Sequence, residues 1–288
     1  MKTISIIGAG NVGKVLGYAL KEKGYRILAA TAKTQASRET AARLLDCAVF
    51  DDPAKAAADA EIVFITTPDR LIEEVCEQMA ARDAFKKGQL VLHTSGAHSS
   101  SVLLSASKEG AQVISFHPLQ TFPGFEVGIR SLPGTYYAVE GDKEAYPVAE
   151  ELVTALEGKM LSIPTEMKAL YHAAACVACN YLSSLMDMAF LMYEPMGISA
   201  GQAMEALSPL IDSTLKNIKE LGTEKALTGP IARGDLPTIS AHLKQLKELI
   251  PDFLPLYKEL GIYTAGLAVR KGTLQEEGQK ALKKLLGG

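Results

Sequence analysis

Six residues near the start of the chain, Gly8-Ala9-Gly10-Asn11-Val12-Gly13, constrain the fold more than any others. They follow the β-rich run Thr3–Ile7 and open a helical stretch, Val12–Lys23. A strand that turns straight into a helix uses each glycine differently. Gly8 permits the tight turn, Gly10 lets the backbone approach a pyrophosphate, and Gly13 lets helix and strand pack closely. The helix start then presents unpaired N–H groups and a positive dipole end to a phosphate. Alone the motif is only a tight turn; opening a βαβ unit, it points to a dinucleotide.

The rest of the first 162 residues supplies that setting. Strand candidates are Thr3–Ile7, Tyr25–Ala30, Ile62–Thr66, Leu90–His93, Gln112–Phe116, Thr135–Glu140 and Lys159–Ile163. Between them, helical patterns cover Val12–Lys23, Ser37–Leu45, Asp69–Met79, Val102–Ser107 and Lys143–Leu156. Such alternation builds a mostly parallel sheet with helices on both faces. From Pro164 the strand signals stop, and helices are expected over Thr165–Tyr193, Ala200–Leu221, Thr238–Leu249, Leu254–Val269 and Leu274–Leu285. The last opens with Thr273-Leu274-Gln275-Glu276, a capping-box spacing. The expected fold is therefore α/β: a Rossmann-like doubly wound parallel sheet over residues 1–162, followed by an all-helical domain over 163–288.

Composition excludes several function classes. With 30 Lys+Arg against 33 Asp+Glu, the net charge is −3 and no basic block is long enough to track nucleic-acid phosphates. Hydrophobic residues at 48% and charged residues at 22% are those of a globular chain rather than a disordered one. The start, Met1-Lys2-Thr3-Ile4-Ser5-Ile6-Ile7, reads as a strand and not as a targeting segment. The most apolar long segment, Ala173–Tyr193, carries Asn180, Ser183, Ser184 and Asp187, so a buried helix is expected there and no membrane span. Cys47, Cys76, Cys176 and Cys179 are expected as reduced thiols in a cytoplasmic protein. Cys176 and Cys179 match CxxC, but mid-helix and without a second pair they read as small apolar packing rather than zinc ligands. The five histidines show no metal spacing, and no metal is expected.

The second strand bears on the choice between NAD and NADP. NAD sites usually place a carboxylate about 20 residues beyond the glycines, on the ribose 2′-hydroxyl. Here Tyr25–Ala30 runs into Thr31-Ala32-Lys33-Thr34-Gln35-Ala36-Ser37-Arg38, with no carboxylate before Glu39. Two cations and several hydroxyls suit the 2′-phosphate of NADP, although a solvated basic turn has the same composition. Later strands end in Thr66-Thr67-Pro68-Asp69, His93-Thr94-Ser95-Gly96 and His117-Pro118, where ligands of open α/β sheets bind. The expected cofactor contacts are Gly8, Gly10, Asn11, Val12, Gly13, Thr31, Lys33, Ser37, Arg38, Thr67 and Pro68.

Four stretches carry a resemblance: Gly8–Gly13, His93–Gly96, Ser115-Phe116-His117-Pro118-Leu119-Gln120-Thr121-Phe122, and Thr228-Gly229-Pro230-Ile231-Ala232-Arg233-Gly234-Asp235. Together they resemble a bacterial oxidoreductase family that pairs a Rossmann-like domain with a helical C-terminal domain of formerly unknown function. The resemblance spans essentially the whole chain. More distantly the chain is similar to pyrroline-carboxylate reductases, deazaflavin-dependent NADP oxidoreductases, 3-hydroxyisobutyrate dehydrogenases and ketopantoate reductases. It implies a helical domain like the C-terminal domain of 6-phosphogluconate dehydrogenase. It also implies NADP as cofactor, a small-molecule substrate between nicotinamide and helical domain, and a homodimer.

On the helix Thr165–Tyr193, residues Lys168, His172, Cys176, Cys179, Asn180, Ser183 and Asp187 fall within an arc of roughly 120°. Leu170, Val177, Tyr181, Leu185 and Met188 lie opposite, as an expected core face. A polar stripe is costly to bury unless paired or facing a wet cleft; the alternative for His172 and Asn180 is that they are satisfied helix-packing residues. The hydroxyisobutyrate and ketopantoate reductases carry Lys and Asn one turn apart on the corresponding helix. Here His172 follows Lys168 by one turn, and Asn comes only at Asn180. His172 is the first candidate for general acid, because imidazole exchanges protons near neutrality, and Lys168 the second. Ser95, Gly96 and Asn180 are expected at the substrate, His117 along its pocket. Arg233 is expected either on a substrate carboxylate or paired with Asp235. These readings describe an NADPH-dependent reductase of a small carboxylate bearing C=O or C=N, ketopantoate among them. The alternatives are a pyrroline-carboxylate-type imine reductase, a deazaflavin-dependent NADP reductase and a non-catalytic NADP(H)-binding module.

Overall fold

The computed structural model describes residues 2–287, which pack as two compact units divided at Ala178/Cys179. In the first unit eight strands form one sheet: β1 (Thr3–Ile7), β2 (Arg26–Thr31), β3 (Ala48–Phe50), β4 (Ile62–Ile65), β5 (Leu90–His93), β6 (Gln112–Pro118), β7 (Tyr136–Gly141) and β8 (Lys159–Ser162). Their order is β3-β2-β1-β4-β5-β6-β7-β8. All neighbours are parallel except β6 and β7, which run antiparallel.

The middle strands have no polar face because helices cover both sides. In β4, Ile62 and Phe64 join one apolar cluster with Leu16, Leu20, Leu92 and Phe116, while Val63 and Ile65 join another with Ile72, Cys76, Met79 and Val91. At roughly 1.5–3 kcal/mol for each large apolar side chain fully buried, these two layers supply the main stabilisation of the sheet. The helices are α1 (Asn11–Glu22), α2 (Gln35–Leu45), α3 (Pro53–Ala57), α4 (Ile72–Ala80), α5 (Leu104–Lys108), α6 (Phe125–Ser131), α7 (Tyr146–Ala155) and α8 (Lys168–Ala178). The sequence reading misses β3, α3 and α6. Each is only three to seven residues long, too short to display a period.

The second unit contains α9 (Asn180–Tyr193), α10 (Ala200–Ala226), α11 (Pro230–Arg233), α12 (Leu236–Leu249), α13 (Leu254–Lys271) and α14 (Glu276–Gly287). Its core gathers Ala232, Ile239, Ala265, Ala268, Leu274, Leu282 and Leu286. The capping box is at Ser199/Gln202, at the start of α10. The Thr273 hydroxyl instead reaches back to the Ala268 carbonyl, so the box expected before α14 does not form. A single turn of helix, α11, sits within Thr228–Asp235, where no helix is expected; Pro230 starts it and Gly234, at φ 69°, stops it.

Two expectations about the segment after Pro164 change. First, packing places the division at Ala178/Cys179, later than the expected 162, because Thr165 and Lys168 are hydrogen-bonded into the sheet. The single helix Thr165–Tyr193 becomes a 3₁₀ turn (Thr165–Met167), α8 and α9, broken at Cys179. Second, the expected buried helix is largely exposed. Thr165–Met196 is long and apolar enough to cross a membrane by length and composition, and only 6% of its most apolar stretch is buried. Along α8 the polar side turns inward, while Leu170 and Val177, expected in the core, are 68% and 58% exposed. The reason is that Lys168 finds partners inside its unit, whereas the apolar side finds no cover there. In α9, Tyr181 is likewise exposed, and Met188 alone of the expected core face is buried.

Candidate active site

The glycine turn is built as its sequence demands. Gly8 sits at φ 97°, and a Cβ there would lie 2.9 Å from both the backbone nitrogen and the side-chain methyl of Thr67. At Gly13 a Cβ would lie 2.5 Å from Thr66 Oγ1 and 2.8 Å from the Gly8 carbonyl. A Cβ on Gly10, by contrast, would meet nothing nearer than the Gly8 carbonyl at 4.0 Å. Thr31 holds the turn from β2: its hydroxyl accepts from Gly8 N–H (2.9 Å) and its carbonyl from Ala9 N–H (2.6 Å). Gly10 is the N-cap of α1, and no side chain caps that helix. Asn11 lies in the first turn and donates from Nδ2 to the Phe122 carbonyl (3.1 Å).

Beside this turn lies a cleft of about 400 Å³ lined by Gly8, Ala9, Gly10, Thr31, Lys33, Ser37, Asp51, Thr66, Thr67, Pro68 and Arg70, among others. Thr67 Oγ1 is buried in it without a hydrogen-bond partner among the described residues. An orphaned hydroxyl beside an uncapped helix start and open space at Gly10 fits a dinucleotide, whose ribose and phosphate oxygens would satisfy these groups. Of the expected contacts, Gly8, Gly10, Thr31, Lys33, Ser37, Thr67 and Pro68 line the cleft, and Val12 and Gly13 stand in the first turn of α1. Arg38 is placed differently: it is ion-paired to Asp51. Asp51 and Arg70 are absent from the sequence reading. Asp51 follows the short β3, whose pairing with β2 brings a carboxylate to the end of β2 from a distant part of the chain.

Further along the same carboxyl-end edge of the sheet, Ile7 is in register with Ile65, Ile65 with His93, and His93 with Ser115. The residues that follow these strands therefore meet at one level. His93 is fully buried; its Nδ1 accepts from Ser95 N–H and its Nε2 reaches the Ser99 carbonyl, both at 3.1 Å. Burial foremost, then the Lys168 charge, pushes its pKa down to about 3, so it is a neutral brace for the loop. The Ser95 hydroxyl donates to Asp69 (2.8 Å) and accepts from the N–H groups of Ala97 and His98 (3.1 Å each). Those bonds occupy it, so Ser95 shapes the loop rather than offering a free hydroxyl. Asp69, present in the motif but unassigned from sequence, is its acceptor.

Gly96 lies where two imidazoles converge. A Cβ on it would touch His172 and lie 2.8 Å from His117 Nε2. The two rings are edge-to-face with centroids 6.2 Å apart. His117 Nδ1 bonds to the Tyr171 hydroxyl at 2.8 Å. Burial, followed by Lys168 and His172, drives the His117 pKa down to about 3, and burial drives that of Tyr171 up to about 12. Behind them Lys168, only 2% exposed, donates to Ser115 Oγ at 2.5 Å. Burial pushes its ammonium down to about 8, against the opposing pull of Glu140 and Asp69. His172 Nδ1 also approaches Cys176 Sγ at 3.7 Å.

The structure thus brings Gly96, His117 and His172 together within the first unit, with Lys168 close to His117. Asn180, Arg233 and Asp235 belong to the second unit. Asn180 and Arg233 are exposed, and the Asp235 carboxylate caps α12 through Thr238 N–H (3.1 Å) and Oγ1 (2.7 Å). Those bonds, with Arg233 contributing less, hold the Asp235 carboxyl below its ordinary range. All four cysteines are free, and no group of three or more His, Cys, Asp or Glu side chains is placed to hold a metal among the described residues.

Residues 2–118 match the Rossmann-like domain family, and residues 135–264 match DUF2520, a domain of unknown function. The chain therefore joins a Rossmann-like domain to a DUF2520 domain, the pairing that its sequence motifs resemble. No curated protein matches it in sequence. Among solved structures it is similar to a candidate NADP oxidoreductase from Bacteroides fragilis (TM-score 0.75, 24% identity, covering 92% of this chain and 98% of that one). A protein from Thermotoga maritima is similar at TM-score 0.71 and 22% identity, over 93% of this chain and 99% of that one. A Plasmodium falciparum pyrroline carboxylate reductase with NADP bound is similar at TM-score 0.62 and 11% identity, over 99% of this chain and 98% of that one. At these identities the likeness is one of fold.

Proposed function

We propose that the protein is an NADPH-dependent reductase of a small carboxylate bearing a C=O or C=N bond, with 2-oxo acids such as ketopantoate as the first substrates to try. The observation that carries this reading is Gly96 set between the imidazoles of His117 and His172, on the same sheet edge as the uncapped, glycine-lined cleft. The fold likeness to proteins named as NADP oxidoreductases supports the class.

When bound, NADPH supplies a hydride. Gly8, Gly10 and the α1 N-terminus would hold its pyrophosphate, Thr67 Oγ1 would take up a hydrogen bond from it, and Lys33, Ser37 and Arg70 would receive the 2′-phosphate. His172, half-buried beside Gly96, gives the proton to the substrate oxygen or nitrogen. His117, kept neutral, directs a hydrogen bond rather than a charge into the pocket. Lys168 stays behind them as a buried cation that favours a carboxylate substrate. The test is NADPH oxidation followed against a panel of 2-oxo acids and cyclic imines. Turnover of one class names the bond reduced, and tight NADPH binding with no turnover on any member overturns the reading in favour of a binding module.

The exposed apolar residues Leu170 and Val177 of α8, Tyr181 of α9, and Leu210 and Leu221 of α10 support a homodimer. Light scattering on the eluted protein decides it, and co-flotation with lipid vesicles would assign the same helices to a bilayer instead. Four free cysteines agree with a cytoplasmic setting.

A further inference from the structure

One buried carboxylate has no part in the steps above. Glu140, in β7, is 1% exposed. It accepts from Ser100 N–H at 2.7 Å, Ser100 Oγ at 2.9 Å and Thr165 Oγ1 at 2.8 Å. No cation lies within 4 Å of it among the described residues. A buried carboxylate is expensive unless its oxygens are satisfied and its charge is answered, so its three donors and its neighbourhood need an explanation.

The donors come from the two segments that form the candidate active site. Ser100 closes the loop that begins at Ser95-Gly96, and Thr165 lies in the turn that leads into Lys168 and His172. Glu140 is also the register partner of Ser115 across the β6–β7 ladder, and Ser115 Oγ is the partner of Lys168 Nζ. Paired residues in an antiparallel ladder project from the same face, so carboxylate, hydroxyl and ammonium lie on one side of the sheet.

We propose that Glu140 is the positioning residue of this site: its carboxylate clamps the start of α8 to the Gly96 loop and holds the counter-charge that keeps Lys168 protonated. The placement of Lys168 and His172 beside Gly96 then follows from one residue that touches neither substrate nor cofactor. The proposal rests on the reading of this cluster as the active site, but it makes a claim about charge that needs no substrate to test. The groups around Lys168 are Asp69 after β4, His93 on β5, His117 on β6, Glu140 on β7 and Tyr171 on α8 itself, with His172 one turn further along that helix. Burial makes both facing imidazoles of the strands neutral at ordinary pH, so Glu140 and Asp69 are the charges that answer the ammonium, Glu140 the more strongly.

The experiment is a pH titration of Lys168 by NMR in the isotope-labelled full-length protein, with Lys168→Arg used to assign the resonance. Glu140→Gln keeps the size and removes the charge. It should lower the Lys168 midpoint by about one pH unit, a tenfold change in the acid constant. An unchanged midpoint in a variant that still binds NADPH overturns the proposal, whatever the substrate assays give. Should Glu140→Gln fail to fold, Ser100→Ala/Thr165→Val provides the opposite sign. It strips two donors from the carboxylate, leaves its charge less compensated, and should raise the Lys168 midpoint; no rise overturns the proposal equally. Failure of the reductase reading would instead appear as normal titrations with no turnover of any substrate.

Discussion

Replacing Lys168 by methionine should make the protein more stable and less active, and the stability gain should vanish at high pH. The side chains are similar in length, so the change removes charge with little change of volume. Burial moves the ammonium from its ordinary 10.5 to about 8. At ~1.4 kcal/mol per tenfold, keeping that proton in the folded chain near neutral pH costs about 3 kcal/mol. The methionine variant would escape this cost but lose the hydrogen bond to Ser115, about 1 kcal/mol, for a net gain of about 2 kcal/mol. For a chain of this size that is a rise of roughly 4–8 °C in Tm. The folded protein releases the Lys168 proton above about 8, whereas the unfolded chain keeps it to 10.5. Within that window the unfolded state binds more protons, so wild-type stability climbs with pH. The advantage of K168M is therefore full below about 8 and gone above 10.5. Calorimetry of both proteins across this range is the assay. A variant less stable than wild type near neutrality, or a gap that does not change with pH, would refute the account of Lys168 as a buried, costly charge. Loss of turnover alongside the stability gain would mark the cost as one kept for function.

Other substitutions separate the roles of neighbouring residues. His172→Ala should lower turnover by about 10²-fold or more while the Kd for NADPH changes little, and near-normal turnover would remove His172 as the acid. Lys33→Ala and Arg70→Ala should each weaken NADPH binding by about tenfold, as expected for a lost charge-assisted bond to phosphate, and leave NADH nearly unaffected. Asp51→Asn should shift preference further towards NADPH by freeing Arg38; fluorescence titration with both cofactors measures all three, and a wild-type protein that prefers NADH would contradict the assignment. Gly96→Ala should abolish turnover by forcing the imidazoles apart, because its Cβ would lie 2.8 Å from His117 Nε2; a crystal structure with both rings unmoved would show this reasoning to be mistaken.

Much of the first unit was legible because its signals are local. A glycine turn, β-branched runs and strand-end polar residues each report on a few consecutive residues, and β1, β4 and β5 lie within a residue of where the pattern puts them. Short elements escaped: β3 has three residues and no period, yet it carries Asp51 to the cleft beside the glycine turn and changes the charge there. The polar stripe of α8 was visible as a stripe, but the direction it faces was not. A helical pattern says that one side differs from the other; which side is buried depends on the partners it finds.

The sequence by itself determined the order of the longer elements, the glycine turn and the change from α/β to helix, since these depend on backbone sterics and the period of apolar residues. Only the tertiary structure decided that Arg38 pairs with Asp51, that the Ser95 hydroxyl is already occupied, and that Glu140 joins Ser100 to Thr165 beside Lys168. Those facts depend on which distant residues become neighbours across a strand ladder. Charge and hydrogen bonding act over a few ångströms in space, whatever the separation along the chain.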